Sequence, residues 1–295
     1  MDYILQTREL TKNYGQIMAV NNLSLTVKQG NVFGILGPNG SGKTTTLSII
    51  TGAINAQRGD YSWFGQLPSS QQRKRIGSLV EVPHFYPYLS LSRNLRIVTL
   101  IKDAPDTDIE RVLRLTGLYK RRSSPFSTLS LGMKQRLALA AVLLGDPEVL
   151  VLDEPANGLD PEGIAEVRDI ILQEAEKNKT IIMASHILDE VEKVCSHVAV
   201  LKKGECIAQG RVHELLAEEE PVIISADNSA ALEEELIRSG MTVSVSRDNN
   251  ELIVVLKKEY RARDLNEFAF KKGYILSKLV TRKRSLESQF LELVK

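Results

Sequence analysis

Cysteine is scarce in this chain: 295 residues hold two, Cys195 and Cys206. They lack a CxxC spacing and nearby paired histidines, which excludes a disulfide scaffold and a thiolate metal site. An excess of one charge is also missing. Lys and Arg number 38 against 37 Asp and Glu, a formal net charge of +1, far from the basic surplus that binding a phosphate backbone requires. No nucleic-acid partner is expected. Long apolar runs are absent too: the longest, Leu137 to Gly145, is closed by Arg136 and Asp146, whereas a bilayer span needs about 18 such residues. The opening MDYILQTREL places charged residues where a secretory signal needs an apolar stretch, so no export signal is expected and the cytosol is the expected compartment. What is present is ordinary for a globular protein, 43% hydrophobic and 25% charged. At roughly 150 residues per domain the length suits about two domains.

Residues 3–28 alternate apolar and polar side chains, as in YILQT and LSLTV, predicting half-exposed strands. NVFGILG, 31–37, is a continuous apolar run ending in glycine, the pattern of a strand buried on both faces. A polar Gly-rich segment follows and opens into TTTLSIITGA, predicted helical. Between 90 and 145 the spacing in DIERVLRLTGL and MKQRLALAAVLLG predicts a helical insertion. VLVLD at 149–153 and TIIMAS at 180–185 are two more buried strands, separated by a helix with Pro161 in its first turn, and SHVAVLKKGECIAQG is a predicted hairpin. This alternation argues for a mostly parallel sheet with helices on its faces. Near Glu218 to Pro221 the pattern changes to β-α-β-β-α-β, a ferredoxin-like order, with a last helix expected in SLESQFLELVK.

Gly37, Pro38, Asn39, Gly40, Ser41, Gly42, Lys43 and Thr44 match G-x-x-x-x-G-K-[ST], with Thr45 next in line. A nucleoside triphosphate carries several negative charges on oxygens that lose water when bound, and successive backbone amides at a helix start replace that water. The glycines permit close backbone approach. Lys43 supplies a charge for the β- and γ-phosphates, and the Thr44 hydroxyl a ligand for Mg²⁺. Further on, Val149 to Leu152 form a buried strand ending in two acids. Asp153 suits the metal, and Glu154 suits polarising the water that attacks the γ-phosphate.

With these two motifs in place the chain resembles the ATP-binding-cassette family, because further short segments follow in that family's order. Leu129-Ser130-Leu131-Gly132-Met133 is similar to its signature motif, Gly158-Leu159-Asp160 to its D-loop, and His186 to its switch histidine. Tyr14 is similar to the aromatic that stacks on adenine, and Glu81 stands where the family has the glutamine of its Q-loop. Singly, Tyr14 is an ordinary edge aromatic and Ser130 or His186 a plain helix cap. The ordered set, spanning residues 2 to about 215, is what carries the resemblance. It implies a P-loop α/β fold with mostly parallel sheet, antiparallel β subdomain and helical insertion. It implies a nucleotide-binding domain over 1–218 (helical part about 88–145) and an accessory or dimerisation domain over 219–295, here of α+β, ferredoxin-like kind. Glu154, His186 and Lys43 are then the catalytic set. Tyr14, residues 37–45, Glu81, Ser130, Gly132 and Asp160 would hold ATP, and Thr44, Glu81 and Asp153 the Mg²⁺.

The resemblance further implies two cassettes paired head to tail as homodimer or heterodimer, each signature motif closing over the other's ATP. Both would sit on the inner membrane face beside a separate permease of about six spans. Two departures stand out. The signature reads LSLGM rather than LSGGQ, which removes a glycine and a side-chain amide, and Glu81 exchanges an amide for a charge. The acidic loop, SLGMKQR and the tail SLESQFLELV are most similar to ATPases of bacitracin- and lantibiotic-type exporters. A soluble ATPase acting on ribosomes or DNA is disfavoured by a single lysine loop and by the 110 positions between Lys43 and Asp153. A nucleotide sensor without turnover is disfavoured by the presence of Glu154 and His186.

Overall fold

A computed structural model describes residues 3–81, 84–216, 221–249, 251–257 and 259–281. The expected last helix, SLESQFLELVK, lies outside them. The chain divides into two compact units, Met1–Val212 and His213–Lys295.

In chain order the first unit contains β1 (Tyr3–Tyr14), β2 (Ile17–Leu23), β3 (Thr26–Lys28), β4 (Val32–Leu36), α1 (Lys43–Ile50), β5 (Arg58–Trp63), α2 (Ser70–Lys74), β6 (Ile76–Leu79), α3 (Leu91–Lys102), α4 (Asp108–Leu115), α5 (Leu131–Leu143), β7 (Val149–Asp153), α6 (Pro161–Glu176), β8 (Thr180–Ser185), α7 (Leu188–Val194), β9 (His197–Lys202) and β10 (Glu205–Arg211), with α8 (Val212–Leu216) at the boundary. β2, β3 and β5 all pair antiparallel with β1. The second sheet runs β10-β9-β4-β8-β7-β6, parallel throughout except for the β9–β10 hairpin.

Sequence dictates the centre of that sheet. Every residue of β4 and β8 is buried, and so are the first four of β7, as continuous apolar runs covered on both faces must be. α1 packs behind β7 and β8. Its last turn is held by Trp63, whose buried indole Nε1 donates to the Ile50 carbonyl at 2.7 Å, locking the antiparallel sheet to the helix. Helices α3 to α5 form the insertion. The C-terminal end of α5 leaves orphan carbonyls, and Lys102 Nζ donates to those of Ala141, Val142 and Leu144, while Arg111 reaches that of Leu143. Burial pushes the Lys102 ammonium down to about 8, although nearby Asp108 opposes this.

The second unit contains β11 (Val222–Ala226), α9 (Ser229–Arg238), β12 (Thr242–Asp248), β13 (Glu251–Leu256), α10 (Ala262–Lys271) and β14 (Leu276–Thr281). Its sheet order is β12-β13-β11-β14, all neighbours antiparallel. Leu232 and Leu236 of α9 and Leu265 and Ala269 of α10 pack on one face of it with Val222, Ile224, Leu252 and Val254. Among the described residues no helix is long and apolar enough to cross a membrane.

Candidate functional site

Residues 37–42 form the turn between β4 and α1, and steric crowding explains their glycines. A Cβ on Gly37 would lie 2.2 Å from Ser41 Oγ and 2.6 Å from the Leu201 carbonyl oxygen; one on Gly42 would lie 2.3 Å from the Ala19 carbonyl oxygen. Gly40 faces open space but adopts a φ of +79°, a conformation natural to glycine. The Pro38 carbonyl accepts from the Ser41 amide at 3.1 Å, closing the turn over Asn39. The Ser41 hydroxyl oxygen is buried without a hydrogen-bond partner. Lys43 opens α1 buried, and its ammonium donates to the carbonyls of Gly37 at 2.8 Å and Pro38 at 3.3 Å. The ammonium therefore lies across the mouth of the turn.

Parallel pairing of β7 with β8 brings the acids to this turn. Asp153 pairs in register with Ala184, and the Glu154 amide donates to the Ala184 carbonyl at 3.0 Å. Glu154 takes a left-handed φ of 47°, a strained backbone for a non-glycine residue. One carboxylate oxygen stands 3.7 Å from Lys43 Nζ. The other is 2.7 Å from His186 Nδ1 and accepts from the His186 amide at 3.3 Å. His186 leaves β8 one residue after Ser185, so neighbouring strand ends deliver both members of the pair.

Asp153 lies inside this cluster with its Oδ1 buried and unpartnered. Burial raises its carboxyl above the ordinary range; a hydrogen bond with the Thr44 hydroxyl lowers it, the Glu154 charge raises it, Lys43 lowers it and Glu81 raises it. Thr44 is exposed beside it and Thr45 half-buried. Glu81 is exposed just past β6, at a φ of 66°. An orphaned carboxylate oxygen next to a hydroxyl and further acid is a hard-oxygen set of the kind Mg²⁺ takes, with water and phosphate completing its shell. Among the described residues no group of three His, Cys, Asp or Glu side chains forms a cage, and Mg²⁺ needs none.

Tyr14 ends β1 half-exposed, with Lys12 Nζ 5.7 Å from its ring centre. Its hairpin partner β2 abuts the glycine turn through Ala19, and Gly204 ties the two: its amide donates to the Ser41 carbonyl at 3.0 Å and its carbonyl accepts from the Asn21 amide at 2.9 Å. Sequence reasoning passes over Gly204, though the Lys-Gly step inside a hairpin was the available signal.

Ser130, Gly132 and Asp160 are gathered elsewhere. Ser130 caps α5 by accepting from the Met133 amide at 3.3 Å, and Asp160 caps α6 by accepting from the Gly163 amide at 2.9 Å. The two helix starts line one open cleft of about 480 Å³, with Leu131 packed near Gly158 and Arg136 in its wall. No residue of 37–45 lines it.

A lysine-bearing glycine turn beside paired strand-end acids and a histidine has the groups that nucleotide hydrolysis needs. The family model described as ABC transporter matches residues 20–157. The bacitracin transport ATP-binding protein BcrA of Bacillus licheniformis is 36% identical over 302 aligned positions, covering 100% of this chain and 98% of its own. This chain belongs to the ABC transporter ATP-binding proteins. It is therefore the ATPase subunit of an ABC transporter, homologous to bacitracin and lantibiotic transport ATP-binding proteins. The lantibiotic transport ATP-binding protein SrtF of Streptococcus pyogenes is 37% identical over 206 positions, covering 70% of this chain and 90% of that one. Among solved structures, cbiO1 of Clostridium perfringens, described as part of the transporter complex cbiONQ, shares 29% identity and a TM-score of 0.66 over 81% of this chain and 96% of its own. The cassette fold, with its mixed sheet and antiparallel subdomain, is thus common to both.

Proposed function

We propose that this cassette hydrolyses ATP at a composite site and drives a separate membrane permease that exports an antimicrobial peptide, drug or lipid-like cargo. The contact Lys43–Glu154–His186 carries the hydrolytic half of the reading. The turn amides of residues 37–45 receive the phosphates, and Lys43, resting on carbonyls of its own turn, exchanges them for β- and γ-phosphate oxygens. Glu154 takes the proton of the attacking water, and His186 orients that carboxylate. Tyr14 stacks on adenine. Thr44, Asp153 and Glu81 would hold Mg²⁺, which when bound neutralises charge on the phosphates.

The other half of the reading rests on the cleft at Ser130, Gly132 and Asp160, which lies apart from the phosphate turn. Two helix starts with free amides suit a γ-phosphate, and in this reading the phosphate comes from a second cassette, identical or related. The cassette would then work at the inner membrane face, with no nucleic acid as partner. The strand order β12-β13-β11-β14 supports a ferredoxin-like C-terminal module, whose role we assign to bracing the pair. The BcrA and SrtF names support a bacitracin- or lantibiotic-like cargo.

Mixed dimers test the composite site. Ser130→Arg in one subunit should disable the nucleotide held by the opposite subunit, so a dimer with Ser130→Arg in one chain and Lys43→Ala in the other should keep one intact site, whereas a dimer carrying both changes in the same chain should lose both. Loss confined to the subunit carrying Ser130→Arg contradicts the reading. Copurification with a six-span membrane protein and stimulation of phosphate release by bacitracin or a lantibiotic test the rest.

A further inference from the structure

His186 stands on a two-residue connector between β8 and α7, and its side chain is 45% exposed. Its 2.7 Å contact with Glu154 therefore depends on how α7 is held. Seven residues are too few for a helix to be stable alone, and α7 has no side-chain cap at its start. It leans on α6 and buries Val191 and Val194. An ion pair supplies a polar link in that contact. Arg168 Nη1 of α6 lies 3.1 Å and 3.4 Å from the two carboxylate oxygens of Glu190, which is 8% exposed. Lys193 Nζ approaches the same carboxylate at 3.7 Å but is itself committed to Asp189 at 2.5 Å.

Arg168 and Glu190 line a narrow cavity together with apolar residues of α6, β8 and α7 and with residues beside the reacting pair. Pro155 and Asn157 follow Glu154, and Ser185 and Ile187 flank His186. At about 10 Å³ it holds no more than one water, so it is not a ligand site. The ion pair thus shares this cavity with the residues next to Glu154 and His186 in the chain.

We propose that Arg168 and Glu190 are a positioning pair for hydrolysis: by fixing α7 on α6 they set His186 against Glu154. This rests on the roles given above to Glu154 and His186. Removing Arg168 leaves the buried Glu190 carboxylate with only Lys193 near it, at 3.7 Å, and frees the first turn of α7. A misplacement of about 1 Å in a catalytic group costs up to about 100-fold in rate.

The test uses the full chain. Arg168→Met and Glu190→Gln should each lower kcat about tenfold, with KM and the Kd for ATP within twofold of wild type. The double variant should fall no further than either single one, and Arg168→Lys should lie between wild type and Arg168→Met. The chain has four histidines; with ¹³C-labelled imidazoles and His186→Asn for assignment, the His186 resonance in Arg168→Met should move toward its position in Glu154→Gln. An unmoved resonance, a kcat within twofold of wild type, or additive losses in the double variant overturn the inference. Should Arg168→Met melt far below wild type, Arg168→Lys decides: a kcat equal to wild type overturns the proposal, an intermediate one with a shifted resonance sustains it. Glu154→Gln separates the layers. If that variant turns over normally the site reading itself fails; if it is inactive while Arg168→Met is normal, only the positioning inference fails.

Discussion

Replacing Glu154 by glutamine keeps size and shape and removes one charge, so its two consequences can be read separately. The first is chemical. A positioned base contributes about 10² to 10⁴ in rate, or about 3 to 5 kcal/mol at about 1.4 kcal/mol per decade, so kcat for ATP should fall at least about 100-fold. The second is electrostatic and opposite in sense. Glu154 stands 3.7 Å from Lys43 Nζ and, on the proposed reading, would compete with phosphate for that ammonium. Its side chain is 20% exposed, so water screens much of this attraction, which amounts to about 1 kcal/mol in water and less than the roughly 4 kcal/mol of a dielectric near 20. Released from it, Lys43 should bind ATP about fivefold more tightly. Phosphate release at saturating ATP gives the first quantity, and titration with a fluorescent ATP analogue the second. Turnover within tenfold of wild type removes Glu154 from the role of base. A weakening of ATP binding by tenfold or more refutes the electrostatic half, because it means the carboxylate supports the phosphate turn rather than competing with it.

Backbone crowding makes a graded prediction for the turn. Gly37→Ala and Gly42→Ala place a Cβ within 2.6 Å of fixed atoms and should abolish ATP binding, whereas Gly40→Ala, in open space, should cost only about 1 kcal/mol, both read by nucleotide titration. Glu81→Gln removes a carboxylate from beside Asp153 and, through the loss of that ligand charge, should increase the Mg²⁺ concentration for half-maximal ATPase several-fold; an unchanged midpoint removes Glu81 from the metal site. Glu174 offers a stability test. Burial pushes its carboxyl up, but hydrogen bonds from Lys177 and Lys179 prevail and hold it below the ordinary carboxylate range. A depressed acid contributes stability above its unfolded value and loses it as pH falls through the folded one. Glu174→Gln should therefore cost about 3 kcal/mol in urea unfolding at pH 7, with a markedly smaller deficit near pH 3; a pH-independent deficit refutes the assignment.

How much of this was legible in sequence depended on whether the cause was local. The glycine turn between β4 and α1 was legible as a motif, although the clashes that require Gly37 and Gly42 come in part from Leu201 and Ala19, far away in the chain. Asp153 and Glu154 were legible as a strand end, because four buried apolar residues leave the first polar ones at the sheet's edge. The Glu154–His186 contact was legible only through motif order, as it depends on β7 and β8 being neighbours, a fact of topology rather than of pattern. Gly204 was signalled only as a hairpin turn, and Lys102, Arg168 and Glu190 were not legible at all. Each acts on a residue far away in the chain, and none departs from what a surface hairpin or an amphipathic helix would contain.

The separation of the two clusters has a physical consequence of its own. At the turn, Lys43 is satisfied by its own carbonyls and Asp153 keeps an orphaned oxygen; at the cleft, two helix starts have Ser130 and Asp160 as caps, leaving further amides without intrahelical partners. Each cluster thus holds an unmet demand of opposite electrical sense, donors in the cleft and a cation-seeking carboxylate at the turn. A triphosphate seated on residues 37–45 with its metal would answer the second and present oxygens to the first, but the cleft of the same chain is lined by none of those residues. Leu131, exposed at 57% at the lip of the cleft, would become buried on such a contact. Leu131→Asp should therefore leave ATP binding by the single chain unchanged while reducing ATP-dependent dimerisation more than tenfold in sedimentation velocity. A variant that dimerises normally with ATP would show that this lip stays in solvent and that the signature end of α5 is not where the second cassette closes.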